Sequence, residues 1–357
     1  MKITVIGTGN VGCTIAADLT RKGHRVSLLK TSTVAHSDNF EALARDKTFQ
    51  VRDPYIGDYS VRFTNIFDRD YAKALESAEV ILFTIQTNYH KEVIKSIVPF
   101  LKDGQTIIFE PGYLSTCFLL EICHKDILVI EGESSPIDCR IIQPGMSQVL
   151  FKNVLNPIGV FPNAKKNEAS TIMESLGFPF RFTKSVIEAA LHNPNLIVHT
   201  VGALFSIPRI EYTKGDYWMY REVFTPHVWT ICESLDQEKL MILERLGITD
   251  SLSYVEACQE RNYIDDPRTP LESFFDYALH SSPKGPSTPD SRYLTEDVSQ
   301  GLVMMESLGA FLGIPTPTST SLITLASTAL GRDFREEGRT VDSLGKESIR
   351  RIIADSC

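Results

Sequence analysis

The sequence has no CxxC pair, although it contains seven cysteines scattered along its 357 residues. An odd number of scattered cysteines fits neither a disulfide framework nor a structural zinc site. We therefore expect reduced thiols, a cytoplasmic protein and no bound metal.

Long apolar runs are also missing, since no segment stays apolar for the roughly 18 residues that a membrane span requires. The first residues, MKITVIG, follow the pattern of a strand and lack the basic flank and apolar core of a secretory signal. We expect a soluble intracellular protein that has no membrane partner.

The chain has no excess of positive charge. It carries 36 Lys and Arg against 45 Asp and Glu, a formal charge of −9, which argues against binding a nucleic-acid backbone. With 43% hydrophobic and 23% charged residues, the composition is that of an ordinary globular protein. At roughly 150 residues per domain, this length predicts two domains.

The first half of the chain alternates between strand patterns and helix patterns. Apolar runs of strand length are found at 2–6, 25–29, 80–85, 106–109 and 127–130, with helical spacing in the segments that follow the first and third. Strands that alternate with helices over short links are typical of an α/β fold with a doubly wound parallel sheet.

After about residue 180 the pattern becomes mainly helical, so we place the domain boundary between residues 182 and 183. Helical spacing predicts helices at 185–191, 195–205, 217–246 and 298–312. One stretch, residues 281–291, is rich in Ser, Pro and Gly and is either a lid or a surface connection.

A glycine-rich motif directly follows the first predicted strand and opens a helix: Gly7-Thr8-Gly9-Asn10-Val11-Gly12. Gly7 permits the tight turn, Gly9 lets the backbone approach a pyrophosphate, and Gly12 allows close packing of helix and strand. The N-terminus of the helix then offers free N–H groups to the phosphates. In this position the motif predicts a dinucleotide-binding Rossmann domain rather than a purely structural turn.

The end of the second predicted strand indicates which dinucleotide is bound. NAD sites usually have Asp or Glu here for the ribose 2′-hydroxyl, whereas this chain has Lys30-Thr31-Ser32 and no carboxylate until Asp38. A cation with two hydroxyls favours the 2′-phosphate of NADP, with NAD as the alternative. Lys30 could instead be an ordinary solvated lysine at a strand end. We place Gln86, after a later strand, along the same cofactor crevice.

A histidine lies on a helix with one polar or small stripe. Asn193 is a suitable N-cap and Pro194 a suitable first helical residue, after which Asn195, His199, Gly202 and Ser206 share one face. His199 could carry protons near neutral pH, with Asn195 one turn earlier to position a ligand. The alternative is a buried histidine satisfied by a backbone carbonyl.

A second polar stretch begins another helix. Thr295 is a plausible N-cap, which would place Glu296 and Asp297 in the first turn, where carboxylates suit the helix dipole. Arg292 precedes the cap, and arginine grips carboxylates bidentately. Asp297 could orient His199 as a histidine–aspartate pair, although carboxylates at helix starts are mostly structural.

The chain resembles the octopine/nopaline (opine) dehydrogenase family over nearly its whole length. The resemblance depends on these motifs: GTGNVG at 7–12, ESSPIDCR at 133–140, HNPNLIVH at 192–199, LDQE at 235–238, RYLTEDV at 292–298 with Gly301-Leu302, and GRDFREEGRT at 331–340. The histidine and RYLTED motifs in this order are the specific part.

The resemblance implies a Rossmann domain at 1–182 and a helical substrate and catalytic domain at 183–357, with substrates bound between them. It implies reductive condensation of an amino acid with a 2-oxo acid by NADH or NADPH. By position, His199 resembles the family's acid/base, Asp297 its partner and Arg292 the clamp on a substrate carboxylate. Family members often have Pro where this chain has Thr200 and Ser299, while the cores of both motifs are kept.

Two other functions remain open at this point. One is a 2-oxo or 2-hydroxy acid dehydrogenase of the same architecture, which needs no amine. The other is a regulatory protein that binds NADP(H) without turnover. The sequence names neither the amino acid nor the 2-oxo acid, and it leaves the oligomeric state open, with a homodimer as one alternative.

Overall fold

The computed structural model describes residues 1–356, and the chain divides into two compact units, Met1–Val186 and Ile187–Cys357. The first unit is built on two sheets and the second on helices, which confirms the α/β domain followed by a helical domain. The predicted boundary lies four residues before the end of the first unit, at 182 rather than 186.

The first unit contains twelve strands among its described residues. They are β1 (Lys2–Ile6), β2 (Arg25–Lys30), β3 (Thr48–Arg52), β4 (Tyr59–Arg62), β5 (Asn65–Asp68), β6 (Val80–Phe83), β7 (Thr106–Phe109), β8 (Leu128–Gly132), β9 (Ile137–Gln143), β10 (Met146–Lys152), β11 (Asn156–Phe161) and β12 (Phe180–Phe182). Its helices are α1 (Asn10–Arg21), α2 (Ser37–Asp46), α3 (Tyr71–Leu75), α4 (His90–Ile97), α5 (Ser115–Ile122) and α6 (Lys166–Leu176), with short 3₁₀ turns at Thr87–Tyr89, Val98–Phe100 and Asn163–Lys165.

The main sheet has the order β12-β11-β8-β7-β6-β1-β2-β5, with every pairing parallel except that of β11 with β8. All four residues of β6 and of β7 are buried, as expected for parallel strands covered on both faces. The chain runs outward from β1 in one direction and from β6 in the other. The crevice of this doubly wound sheet therefore opens at the carboxyl ends of β1 and β6.

A second sheet, of order β4-β3-β10-β9, was not predicted from the sequence. Its strands alternate between buried and exposed residues, as in β3, where Phe49 and Val51 are buried and Gln50 and Arg52 are exposed. It packs against α1 and is assembled from two segments about 90 positions apart along the chain. Short strands with distant partners carry little local signal, because cross-strand packing decides their pairing.

The second unit contains twelve α-helices among its described residues, counting α7 at the boundary. They are α7 (Val186–Leu191), α8 (Asn195–Thr213), α9 (Met219–Glu222), α10 (Pro226–Arg245), α11 (Tyr254–Asn262), α12 (Pro270–His280), α13 (Arg292–Thr295), α14 (Val303–Leu312), α15 (Pro317–Leu330), α16 (Phe334–Glu337), α17 (Val341–Leu344) and α18 (Lys346–Asp355). A π-helical stretch, Asp297–Leu302, continues directly into α14.

The predicted helix over 217–246 is interrupted, because Pro226 starts a new helix after α9. Trp229 of α10 packs in an aromatic cluster, with its ring centroid 4.7 Å from that of Phe274. The LDQE motif is structural: Asp236 accepts the Tyr254 backbone N–H at 2.8 Å, and Glu238 accepts the Ser319 N–H at 3.0 Å. These carboxylates tie α10 to α11 and α15.

Residues 281–291 contain neither helix nor strand, as predicted, but they are attached to the rest of the unit. Gly285 donates its backbone N–H to the Tyr217 carbonyl at 3.1 Å, and Lys284 pairs with Asp216 at 2.5 Å. Among the described residues, no helix combines the length and apolar character that a bilayer crossing needs.

Candidate active site

His199 and Asp297 form a hydrogen-bonded pair within the second unit. The imidazole Nδ1 lies 2.8 Å from Asp297 Oδ2, and the two side chains are 9% and 1% exposed. An ionised carboxylate can only accept a hydrogen bond, so Nδ1 is the donor of this pair, and in a neutral imidazole the lone pair then lies on Nε2. Nε2 has no hydrogen-bond partner within residues 1–356. The arrangement presents a fixed imidazole that can take up or release a proton at one defined atom.

The ring of Tyr293 fixes the plane of this imidazole. The two rings stack with centroids 3.6 Å apart and planes inclined by 5°. Tyr293 is one residue from Arg292 in the RYLTED motif, so the motif itself contained the signal for a third residue of the site. A contact between ring faces cannot be inferred from helical spacing, and sequence reasoning missed it.

The helix that carries Asp297 begins earlier than predicted. Ser291, not Thr295, occupies the N-cap position, and α13 starts at Arg292. The Thr295 hydroxyl donates back to the Ser291 carbonyl at 3.1 Å, as hydroxyls inside helices often do. Asp297 then opens the π-helical stretch, a wide turn of a kind that is frequent at functional sites.

Arg292 keeps 48% of its side chain exposed. Its Nε lies 3.4 Å from Glu296 Oε2, one helical turn away, so part of its charge is offset by a buried carboxylate. About half of the Arg292 side chain is thus accessible to solvent. Arg292 lies on the same short helical segment that carries Tyr293 and leads into Asp297.

Asn195 opens α8 one turn before His199, and its neighbour Asn193 caps this start by accepting the Asn195 backbone N–H at 2.9 Å. The Asn195 side-chain amide has no hydrogen-bond partner in the described part of the chain. The rest of the predicted stripe has a different role. A Cβ at Gly202 would lie 2.9 Å from Met219 Sδ and Phe224 Cζ, so this face of α8 packs against a hydrophobic core.

The glycine loop of the first unit has the geometry of a phosphate cradle. Gly7 has φ +122°, which favours glycine, and a Cβ at Gly12 would lie 2.2 Å from the Gly7 carbonyl oxygen. Helix α1 begins at Asn10 with Gly9 as its N-cap residue. Thr84, at the end of β6, donates its hydroxyl to the Ile6 carbonyl at 2.9 Å and lies against both Gly7 and Gly12. Sequence reasoning missed Thr84.

The other residues of the loop hold it in place. The Thr8 carbonyl accepts the Asn39 side-chain amide at 3.0 Å, and Asn10 Oδ1 accepts the Ile141 backbone N–H at 2.8 Å. Val11 packs on the hydrophobic core. The exposed Gln86 follows β6 in extended conformation, just before the 3₁₀ turn Thr87–Tyr89.

Lys30 is not a solvated lysine at a strand end. Its side chain is buried, and Nζ donates to Ser37 Oγ at 3.0 Å while lying 4.8 Å from the centroid of the Phe40 ring. Thr31 is partly buried, and Ser32 Oγ accepts the Val34 and Ala35 backbone N–H groups at 3.1 and 2.9 Å.

Two further side chains, His36 and Asp68, lie near the end of β2. His36, with φ 54°, places Nε2 2.9 Å from where a Cβ of Gly9 would be, and burial together with the charge of Lys30 lowers its pKa. Asp68 of β5 pairs in register with Lys30. The hydrogen bond from Arg69 lowers the pKa of this carboxyl group. Asp68 was not identified from the sequence, because only the end of β2 was considered there.

A buried acid lies just after β7. Glu110 is 6% exposed, its Oε2 has no hydrogen-bond partner within residues 1–356, and burial raises its pKa to about 8. The buried Glu131 differs from it, since Glu131 accepts the Leu114 and Thr116 backbone N–H groups at 2.9 and 2.6 Å. Nothing in the local sequence around Glu110 signalled this burial.

Two family models match the chain. Residues 182–330 match the alpha-helical domain of NAD/NADP octopine/nopaline dehydrogenase, and residues 2–111 match the N-terminus of NAD-dependent glycerol-3-phosphate dehydrogenase. The first match spans the whole of α8, α13 and the π-helical stretch. The second contains the glycine loop and β6.

Full-length relatives agree with these matches. An opine dehydrogenase of Arthrobacter sp. (strain 1C) is 27% identical, covering 97% of this chain and 95% of the relative. An octopine dehydrogenase structure with NADH and L-arginine has a TM-score of 0.79 at 17% identity, covering 99% and 98% of the two chains. A yersinopine dehydrogenase structure with NADP⁺ bound has a TM-score of 0.74 at 18% identity, covering 100% and 97%. The chain thus carries an octopine/nopaline dehydrogenase helical domain, is similar to opine dehydrogenases over nearly its whole length, and is an NAD(P)-dependent oxidoreductase of the opine dehydrogenase type.

Proposed function

We propose that His199 is the acid/base of a reductive condensation between the amine of an amino acid and a small 2-oxo acid. The observation that carries this proposal is the 2.8 Å contact between His199 Nδ1 and Asp297, with Nε2 left for a substrate proton. A fixed imidazole of this kind suits a reaction that moves protons at two successive steps.

The condensation begins when the unprotonated amine attacks the carbonyl carbon of the 2-oxo acid. His199 accepts the proton that the amine loses and passes it to the carbonyl-derived oxygen, which gives a carbinolamine. A second proton, taken up from solution through His199, lets this oxygen leave as water and yields a protonated imine. Asp297 holds the imidazole through Nδ1 and stabilises its charged form between the two transfers. The chemistry that a bound nicotinamide supplies is hydride, which reduces the imine carbon to the secondary amine.

Two side chains would position the substrates. Arg292, whose side chain is about half exposed, binds a substrate carboxylate, which both reactants carry. Asn195 offers an amide that has no intramolecular partner on the helix that carries His199. Holding both reactants before the chemical step supplies part of the catalysis by removing the cost of orientation.

The first unit fits a dinucleotide, because its glycine loop packs tightly against the start of α1. A side chain on Gly12 would occupy the space in which the two come together. The loop glycines and the N-terminus of α1 would hold the pyrophosphate. We favour NADP over NAD, since Lys30, Thr31 and Ser32 follow β2 and could take a 2′-phosphate. Lys30 would have to exchange its contact with Ser37 Oγ for the phosphate.

The test is a panel of amino acids and 2-oxo acids, assayed with NADPH and with NADH, in which products are identified by mass. L-arginine with pyruvate is a suitable first pair, since an octopine dehydrogenase structure contains L-arginine. We expect oxidation that requires both substrates and a product whose mass is that of the reduced condensate. Oxidation that proceeds with the 2-oxo acid alone would instead identify a 2-oxo acid reductase.

A further inference from the structure

The C-terminal segment GRDFREEGRT lies outside both matched family models, which end at residues 111 and 330. Its last residues nevertheless meet the π-helical stretch that begins with Asp297. Gly338 and Arg339 approach Ser299 and Gln300, which lie two and three positions after the carboxylate. The catalytic role proposed above does not account for this contact.

Arg339 bonds to the wide turn through both its backbone and its side chain. The backbone N–H donates to the Ser299 carbonyl at 3.0 Å, and Nε donates to Gln300 Oε1 at 2.8 Å. The amide of Gln300 in turn donates to Ser299 Oγ at 2.9 Å. Arg339 is 2% exposed, so these hydrogen bonds form away from water, where they are stronger than at the surface.

Gly338 allows the segment to come this close. A Cβ at this position would lie 2.5 Å from the Ser299 carbonyl oxygen, 2.6 Å from the Phe334 carbonyl oxygen and 2.8 Å from Val303 Cγ1. Its φ of −93° is open to any residue, so the constraint is space and not backbone conformation. Any side chain here would push the segment away from the turn.

A wide turn needs such support, because a π-helical stretch is less favourable than the α-helix into which it could relax. The Ser299 carbonyl is satisfied by the C-terminal segment, a bond that would be lost if the turn tightened or rotated. Since Asp297 opens this turn, its direction toward His199 depends on the turn being held.

We propose that Gly338 and Arg339 are positioning residues that hold the π-helical turn and thereby keep Asp297 aligned with His199. This inference rests on the proposed catalytic role of the pair. In this arrangement the C-terminal segment completes the site without contacting a substrate. Arg339 acts through Gln300 and Ser299, and Gly338 supplies the room.

The test compares Arg339→Met, Asp297→Asn and the double variant in the full chain. We expect Arg339→Met to lower kcat about tenfold, the range found for groups that orient a catalytic residue. Its pH–rate profile should move in the same direction as that of Asp297→Asn. The double variant should be no slower than Asp297→Asn alone, because both changes remove one alignment.

A buried arginine also supports folding, so two further variants separate stability from alignment. Arg261→Met removes another arginine of similar burial, on α11, and should lower stability while leaving the pH–rate profile as in wild type. Gln300→Met replaces the amide by a side chain of similar size, which removes the link between Arg339 and the turn. It should reproduce the altered pH–rate profile of Arg339→Met. An ¹⁵N NMR titration of His199 reports on its hydrogen bond without turnover.

Additive losses in the double variant, or a wild-type pH–rate profile in both Arg339→Met and Gln300→Met, would overturn the inference and leave the proposed pair intact. If Asp297→Asn itself retained full activity, the role of the pair would fail, and the inference would fail with it.

Discussion

The glycine loop of the first unit spans six consecutive residues and is shaped by its backbone, whereas the His199–Asp297 pair of the second unit joins side chains 98 positions apart. In the loop, no side chain is required at Gly7 or Gly12, and the lack of one is essential. In the pair, each group is set by other side chains, including the stacked Tyr293. The loop therefore depends on local conformation and the pair depends on tertiary packing.

This difference indicates how each site would fail. A site formed by backbone close approach tolerates changes in neighbouring side chains but not a Cβ at its glycines. A site formed by side chains on separate helices loses its chemistry when one group is removed, even if the fold persists. Binding of the cofactor and proton transfer should thus be separable by single substitutions.

The largest expected effect is that of His199→Ala, which removes the proposed proton carrier. We expect kcat to fall by about 10²–10⁴-fold, as is usual when a general acid–base is lost. Cofactor affinity, measured by fluorescence titration, should stay as in wild type. His227→Ala, at an exposed position on α10, is the control and should leave both quantities unchanged. Near-normal turnover in His199→Ala would remove this residue from the mechanism.

The same contrast explains how much could be predicted from the sequence. The glycine loop could be identified in full, because its conformation is local and each glycine has a defined reason. A pair of His199 with Asp297 was a hypothesis from the sequence, and only packing shows that the two side chains meet. Tyr293, Thr84 and the four-stranded sheet were missed, because ring stacking and contacts between distant segments leave no periodic pattern.

Where the prediction of a helix start was wrong, local hydrogen bonding decided the outcome. Thr295 is a good cap residue, but Ser291 precedes it by one turn and its carbonyl accepts the Thr295 hydroxyl. The helix therefore starts four residues upstream of the predicted first turn, and Asp297 lies in a wide turn instead of at a dipole end. The local environment of Asp297 therefore differs from the predicted one.

A second prediction compares two buried glutamates of the first unit. Burial without a hydrogen bond at Oε2 raises the pKa of Glu110 from 4.5 to about 8, so the folded protein keeps a proton that the unfolded chain releases between these values. The contribution of Glu110 to the free energy of unfolding is therefore fully present below pH 4.5. It falls by about 1.4 kcal/mol per pH unit as the pH rises from 4.5 to about 8. At pH 7 the loss is about 3 kcal/mol.

Glu110→Gln stays neutral and should lack this slope, so urea unfolding should show it to be more stable than wild type, by a margin that grows toward pH 8. Glu131→Gln is the matched control. Glu131 accepts backbone N–H bonds as a carboxylate, so its replacement should destabilise the protein at neutral pH. Parallel pH dependence in wild type and Glu110→Gln would show that Glu110 is ionised in the folded protein.

The smallest expected effect concerns the choice between NADP and NAD. Whereas the first prediction concerns a loss of kcat, this one concerns a loss of cofactor affinity. Lys30→Met removes the cation at the end of β2, and a charge-assisted hydrogen bond to a 2′-phosphate contributes about 1.5–3 kcal/mol. We expect the Kd for NADPH to rise about tenfold while that for NADH changes little, as measured by isothermal titration calorimetry. Lys47→Met, at an exposed position, should alter neither affinity. Equal weakening of both cofactors would mean that Lys30 acts through Ser37 and Phe40, by holding the start of α2, and that this edge does not distinguish NADP from NAD.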